Sequence, residues 1–152
     1  MTKQNELPRI VTIMGSGETA PTMVSTHRTL VAKLPLPRRV VLLDTPYGFQ
    51  ENSVELSHKA VEYFNTSINI DLQIAGLPRL VGGDIDPLVI ERGLQAVADA
   101  QYVFAGPGSP SYALRQWDGS PVVKLLANKI HAGGIITFAS AAALTLGQFT
   151  LP

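Results

Sequence analysis

The chain contains no cysteine among its 152 residues. This absence excludes disulfide bonds, thiolate metal sites and a cysteine nucleophile, and it is typical of proteins in a reducing compartment. Charged residues are also few, at 16% of the chain, and 12 basic residues balance 12 acidic ones. Because no extended basic surface is available, nucleic acid and anionic membranes are poor candidates as partners.

Long hydrophobic runs are missing as well. No apolar stretch approaches the roughly 20 residues that a membrane-spanning helix needs, and the polar N-terminus MTKQNELPRI lacks the apolar centre of a signal peptide. We therefore expect a cytoplasmic protein that does not bind membranes. At this length a single domain can bury a substantial core.

What the sequence does contain is five short, β-branched apolar stretches that alternate with segments of helical character. The predicted strands lie at 9–15, 38–46, 68–77, 100–108 and 133–140, and the predicted helices at 21–34, 50–65, 87–98 and 120–131. Most of the strands read as continuous apolar runs, which is typical of strands buried on both faces. The alternation predicts a mostly parallel sheet with right-handed crossovers, and hence a flavodoxin-like three-layer α/β/α sandwich.

Ser140 ends the last predicted strand, and an Ala-rich helical pattern follows it directly. A serine on a sharp strand-to-helix turn can act as a nucleophile, because the helix N-terminus favours developing negative charge and the next amide can donate to an oxyanion. Such an elbow usually has glycine two residues to either side, where this chain has Phe138 and Ala142. Phe138 predicts a relaxed turn or a differently filled pocket. From the pattern alone, Ser140 is either a nucleophile or an ordinary N-cap.

A second loop, FAGPGSPSYAL, follows the fourth predicted strand. Gly106 and Gly108 allow the backbone to approach a ligand, while Ser109 and Ser111 can cap the next helix. The loop either supplies the second donor of an oxyanion hole or forms an ordinary Gly-Pro turn.

The loop after the first strand supports a rival interpretation. Gly15 to Ala20 fits the dinucleotide-binding fingerprint G-x-G-x-x-[GA], and Asp44 closes the second strand, where a ribose-binding acid would stand. Gly15, Gly17 and Asp44 therefore support the alternative that the chain is a nucleotide-binding Rossmann-like domain. Pro21, directly after the motif, indicates that the helix starts late, so its amides need not converge on a pyrophosphate.

The three histidines give little direction. His27 and His131 fall in helical segments, where we expect them to face solvent or cap a C-terminus, and His58 falls on the polar side of the second helix. None belongs to a metal-binding spacing, so we predict neither a metal nor a cofactor. None lies in a strand-exit loop, so no base for Ser140 is evident.

Four segments together resemble, in chain order, the serine peptidase family of cyanophycinase and dipeptidase E: TIMGSGETAPTM, VVLLDTPYGFQEN, ADAQYVFAGPGSPSYAL and GGIITFASAAALTLG. This family is a branch of the class I glutamine amidotransferase-like proteins, and the best local resemblance is to its type 1 glutamine amidotransferase-like members. The resemblance implies the same core fold and hydrolysis of a peptide or amide bond in a small-molecule or peptide substrate.

The resemblance also assigns roles to residues. It implies Ser140 as nucleophile, with oxyanion donors at Ala141, Gly106 and Gly108, and it places Ser109, Glu18 and Gly17 on the substrate side. Members of the family are longer, and their catalytic His and acid follow the Ser. We therefore expect residues 1–152 to form one α/β domain that is the N-terminal part of a longer one, and to be inactive if no later His completes the triad.

Two alternatives to the hydrolase stay open at this point, namely a non-catalytic small-molecule-binding domain of the same fold and the nucleotide-binding domain. A parallel sheet with an uncovered edge is also open to self-association, so we expect that a homodimer can form.

Overall fold

The computed structural model describes residues 6–151 and shows a five-stranded sheet in which every neighbouring pair of strands is parallel. The strands are β1 (Arg9–Met14), β2 (Val40–Leu42), β3 (Leu72–Ile74), β4 (Tyr102–Ala105) and β5 (Gly134–Ala139). Their order across the sheet is β1-β5-β4-β2-β3. Each lies within one of the five stretches predicted from the sequence, so the predicted strand content is confirmed.

Helices connect the strands and flank the sheet. They are α1 (Val24–Ala32), α2 (Ser53–Tyr63), α3 (Pro87–Asp99), α4 (Pro110–Trp117), α5 (Val122–Ala132) and α6 (Ser140–Leu144). A 3₁₀ turn at Pro21–Met23 precedes α1, and a π turn at Phe64–Ile68 follows α2, which is why β3 begins later than the apolar pattern predicted. Within the described chain, no helix is long and apolar enough to cross a membrane.

The sheet separates two hydrophobic cores, as the three-layer architecture requires. One core contains Leu30 and Val31 of α1 and the π-turn residue Phe64. The other contains Val97 of α3 and Trp117 of α4. Both faces of the central strands are therefore covered, which explains why β4 and β5 read as continuous apolar runs. The predicted α/β/α sandwich is confirmed.

Strand β1 differs from the others because it lies at an edge and is open on one face. Its burial alternates, and Val11 and Ile13 are 44% and 67% exposed. They stand beside Ile136 and Phe138 of β5, on the sheet face that carries α6. The opposite edge, β3, has only three residues. A short edge strand resists further pairing, whereas the six-residue β1 is open to it.

The parallel arrangement places the loops after all five strands at one edge of the sheet. Met14 pairs in register with Ala139, and Ala105 pairs with Phe138. The loops that follow β1, β4 and β5 are therefore neighbours, and β5 lies between the other two. This is the edge at which ligands bind in open α/β sheets.

Candidate functional site

Ser140 forms a sharp turn between β5 and α6. Ala139 before it is extended, with φ −126° and ψ 157°, while Ser140 has a φ of +53° in the left-handed region and starts the helix. For a residue with a side chain this conformation costs about 1–2 kcal/mol, and such strain is found at functional sites. The N-cap of α6 is Ala139 and no side chain caps the helix, so the N-cap interpretation of Ser140 is wrong. The serine is half-buried.

The residues flanking this turn do not relax it, contrary to the expectation from Phe138. The Phe138 side chain is 1% exposed and packs beside Trp117 of α4, with ring centroids 5.8 Å apart. Ala142 is fully buried in the same core. Because Phe138 is accommodated in the core below α4, the left-handed turn at Ser140 is retained without the usual glycines.

Backbone amides next to Ser140 face the loop after β4. The amide of Ala142 donates to the carbonyl of Gly106 over 3.1 Å and so ties the turn to that loop. The Ala141 amide, in the first turn of α6, has no hydrogen-bond acceptor among residues 6–151. A free amide directly after a serine on a strand-to-helix turn is the arrangement that stabilises an oxyanion.

The Gly106–Ser109 loop is held against the loop after β2. The Ser109 amide donates to the Pro46 carbonyl over 2.8 Å, and a Cβ at Gly108, where φ is +134°, would overlap that same carbonyl. The Ser109 hydroxyl accepts from the Tyr112 amide at 3.2 Å and caps α4, which confirms the predicted cap at Ser109. The Ser109 hydroxyl was also predicted to contact substrate, and its own hydrogen is still available to donate. The cap predicted at Ser111 is wrong, because Ser111 lies within α4.

Glu18 reaches across the same edge from the loop after β1. Its side chain is only 7% exposed, and its Oε2 accepts from the Gly17 amide at 2.8 Å. A Cβ on Gly106 would lie 2.7 Å from its Oε1. Glu18 therefore brings the loop after β1 close to the loop after β4, and Ser140 follows β5, the strand that lies between β1 and β4. Glu18 also lines a cleft of about 620 Å³ that runs along β1.

Asp44 does not face this edge in the way a ribose-binding acid would. Its Oδ1 accepts from the Leu77 amide at 2.8 Å, and Thr45 donates its hydroxyl to the Leu77 carbonyl at 2.7 Å. Burial raises the pKa of Asp44, although the amide donors, Leu77 first, work against that rise. The carboxylate is used to hold the loop after β3. Helix α1 also begins only at Val24, so the two features behind the nucleotide-binding hypothesis lose their support.

The histidines lie elsewhere, and the expectation for His27 is wrong. His27 is fully buried, and its Nε2 lies 2.6 Å from the Glu18 carbonyl oxygen. Its position in α1 turns the ring toward the core because α1 packs one face against the sheet. His58 and His131 are exposed. No hydrogen bond within residues 6–151 joins a histidine to Ser140, and no three His, Asp or Glu side chains in that range form a group that could hold a metal.

Another cleft, of about 430 Å³, lies at the N-terminal ends of the strands, away from the loops that follow them. It is lined by residues at the start of β2 and the end of α3, among them Arg39, Arg92 and Asp99. The Arg39 guanidinium donates to the Asp99 carbonyl there. This cleft shares no residue with the Ser140 edge, so the chemistry suggested by the loops does not involve it.

Comparisons with known proteins support the fold. No protein-family model and no curated protein matches the chain. A crystal structure of a peptidase from an acI-B1 actinobacterium matches with a TM-score of 0.76 at 20% sequence identity, over 98% of this chain and 61% of that one. A candidate peptidase E from Listeria monocytogenes EGD-e gives a TM-score of 0.60 at 17% identity, over 88% of this chain and 59% of that one.

The chain thus spans about three fifths of the length of these two structures. Its parallel five-stranded sheet with flanking helices is the fold of peptidase E-like structures. At these identities the similarity establishes the architecture, and the residues of the site must be argued from their own geometry.

Proposed function

We propose that this chain carries the nucleophile and the oxyanion site of a serine hydrolase of the cyanophycinase and dipeptidase E type, acting on a peptide or amide bond. The observation that carries the proposal is the left-handed turn at Ser140, beside an Ala141 amide that has no acceptor in the described part of the chain and next to the Gly106–Ser109 loop. A half-buried serine with no functional role has no reason to bear the cost of a positive φ.

The chemistry follows from this arrangement. The Ser140 hydroxyl oxygen attacks the substrate carbonyl carbon, and the carbonyl oxygen becomes an oxyanion held by the amides of Ala141 and of the loop glycines Gly106 and Gly108. The C–N bond then breaks, the amine leaves with a proton, and water hydrolyses the acyl-serine. A general base must accept the hydroxyl proton, and in this proposal it comes from outside residues 6–151, because the three histidines in that range form no hydrogen bond with Ser140.

We propose Glu18, Gly17 and Ser109 as the substrate-binding residues. Glu18 presents a carboxylate in a largely buried position beside Gly106, in the loop after β4. Such a charge favours a substrate with a cationic group near the scissile bond, for example the α-amino group of a peptide. The absence of cysteine fits a hydrolase of the cytoplasm, which is the location we propose.

A fluorophosphonate probe followed by peptide mapping tests the proposal. The folded protein is expected to gain one adduct at Ser140, faster than any other serine reacts. Ser140→Ala and the urea-unfolded chain are the matched controls, and both are expected to lose this adduct. A folded protein whose Ser140 reacts no faster than the other serines would contradict the hydrolase. The longest available form of the protein is used, because a triad raises the rate well above what oxyanion donors alone provide.

One observation favours a second candidate, a non-catalytic domain that binds small molecules at the same edge. Within the described chain no histidine forms a hydrogen bond with Ser140, while the cleft along β1 and the Ala141 amide without an acceptor are present. A peptide aldehyde that raises the melting temperature of a protein that does not react with the fluorophosphonate would favour this candidate.

A further inference from the structure

A buried histidine behind the Glu18 loop carries a further inference. His27 of α1 is fully buried, and three aromatic rings surround it edge-on: Tyr63, Phe64 and Phe104, with centroids 5.1–5.7 Å from the imidazole. A hydrophobic side chain would fill such a place at lower cost, because a buried polar ring must find hydrogen-bond partners.

In the described chain the imidazole has one hydrogen-bond partner, which is a backbone carbonyl group of the loop after β1. Its Nε2 lies 2.6 Å from the Glu18 carbonyl oxygen, so Nε2 carries the hydrogen and donates it. Its Nδ1 is buried without a partner in the described chain. From α2, the Tyr63 hydroxyl donates to the Ala20 carbonyl at 3.1 Å. Two side chains therefore hold the Gly15–Ala20 loop by its carbonyl groups, one on either side of Thr19.

We infer that His27 is a positioning residue that fixes the Gly15–Ala20 loop, and with it the Glu18 carboxylate beside Gly106, and that its protonation releases this loop. The inference rests on the proposed function to the extent that Glu18 binds substrate. A protonated ring would carry a second N–H with no acceptor and a charge among aromatic side chains, which is unfavourable.

The surroundings of the ring support an acid-sensitive contact. Burial lowers the pKa of His27, and the hydrogen bond and charge of Glu18 only partly oppose this. Tyr63 is the titratable group that faces the ring from α2, while β4 and the π turn contribute the phenyl rings of Phe104 and Phe64. Lys59 of α2 pairs with Glu55 and lines the same small cavity as Glu18. The ring is therefore neutral at neutral pH, and the loop is held there.

Hydrogen exchange of the amides in residues 15–20 tests the inference. In His27→Phe an aromatic ring, somewhat larger than imidazole, is kept and the donor is lost, so protection of these amides is expected to fall about tenfold or more relative to β5. In His27→Gln the side-chain amide can still donate to the Glu18 carbonyl, and protection is expected to return toward wild type. Lowering the pH to about 5 is expected to loosen the loop in wild type, after correction for intrinsic rates, but not in His27→Gln.

Unchanged protection of residues 15–20 in His27→Phe, or equal loss in both variants, would overturn the positioning role. If His27→Phe does not fold, the comparison of wild type with His27→Gln across pH decides the question. Fluorophosphonate labelling is measured in parallel: absence of Ser140 labelling in the wild type counts against the hydrolase alone, because the exchange result does not depend on it.

Discussion

Replacement of Ser140 by glycine is expected to stabilise the fold while it removes the nucleophile. The left-handed φ of +53° costs a residue with a Cβ about 1–2 kcal/mol, and glycine does not bear this cost. Glycine gives back about 0.4–1 kcal/mol through the greater freedom of the unfolded chain. The net gain is about 0.5–1 kcal/mol relative to Ser140→Ala, which lacks the hydroxyl but keeps the Cβ. For a chain of this size that is a rise of about 2 °C in melting temperature.

Urea unfolding of the wild type, Ser140→Gly and Ser140→Ala measures the difference. Asn69 provides a second reference, because it has a φ of 60° at the end of the π turn, away from the site. Asparagine tolerates this conformation, so Asn69→Gly is expected to gain less than Ser140→Gly. If Ser140→Gly is no more stable than Ser140→Ala, the turn is not strained and the main observation behind the proposed hydrolase is lost.

Three further predictions concern the loop, the pH dependence and the open edge. Gly108→Ala is expected to lower the free energy of unfolding by about 3 kcal/mol, because its Cβ would overlap the Pro46 carbonyl at a positive φ; urea unfolding measures this. As the pH falls below 6.5, the wild type is expected to lose stability relative to His27→Gln by at most about 1.4 kcal/mol per pH unit. The reason is that His27 binds a proton more tightly in the unfolded state than in the folded state. Urea unfolding midpoints measured across this pH range test the prediction. We also propose that β1 pairs with β1 of a second copy of the chain. Ile13→Lys, at an exposed position of β1, is then expected to shift the sedimentation coefficient at high protein concentration toward that of the monomer, with little change in the free energy of unfolding.

Each of these has a control within the chain. Gly119 also has a positive φ, of +70°, but open space around it, so Gly119→Ala reports the conformational cost alone; equal losses at both glycines would contradict the close approach to Pro46. His58→Gln changes an exposed histidine, and a pH dependence that disappears there as well would exclude a special role for His27. Val54→Lys places the same charge on an exposed apolar position of α2; a wild type that is monomeric at every concentration would rule out the homodimer.

The strands and the architecture could be predicted because β-branched apolar runs report burial directly. Ser140 and the Gly106–Ser109 loop could be placed together for a related reason, since parallel strands bring their exit loops to one edge. The sharp turn at Ser140 was one of two alternatives that the sequence left open, and the sequence could not show how Phe138 is accommodated there, because that depends on Trp117 of another helix. The same holds for His27, whose hydrogen bond to the Glu18 carbonyl exists only after α1 has packed against the sheet.

Among residues 6–151, strand β1 pairs with one neighbour in the sheet, which is β5. Roughly 120 residues separate Met14 from Gly134, and a ribosome adds that length in about 6–24 s at 5–20 residues per second. During synthesis, the first strand to emerge therefore waits for the fifth before it can pair. Because Glu18 follows β1 and Ser140 follows β5, these two residues come to the same edge of the sheet only after β5 has paired with β1.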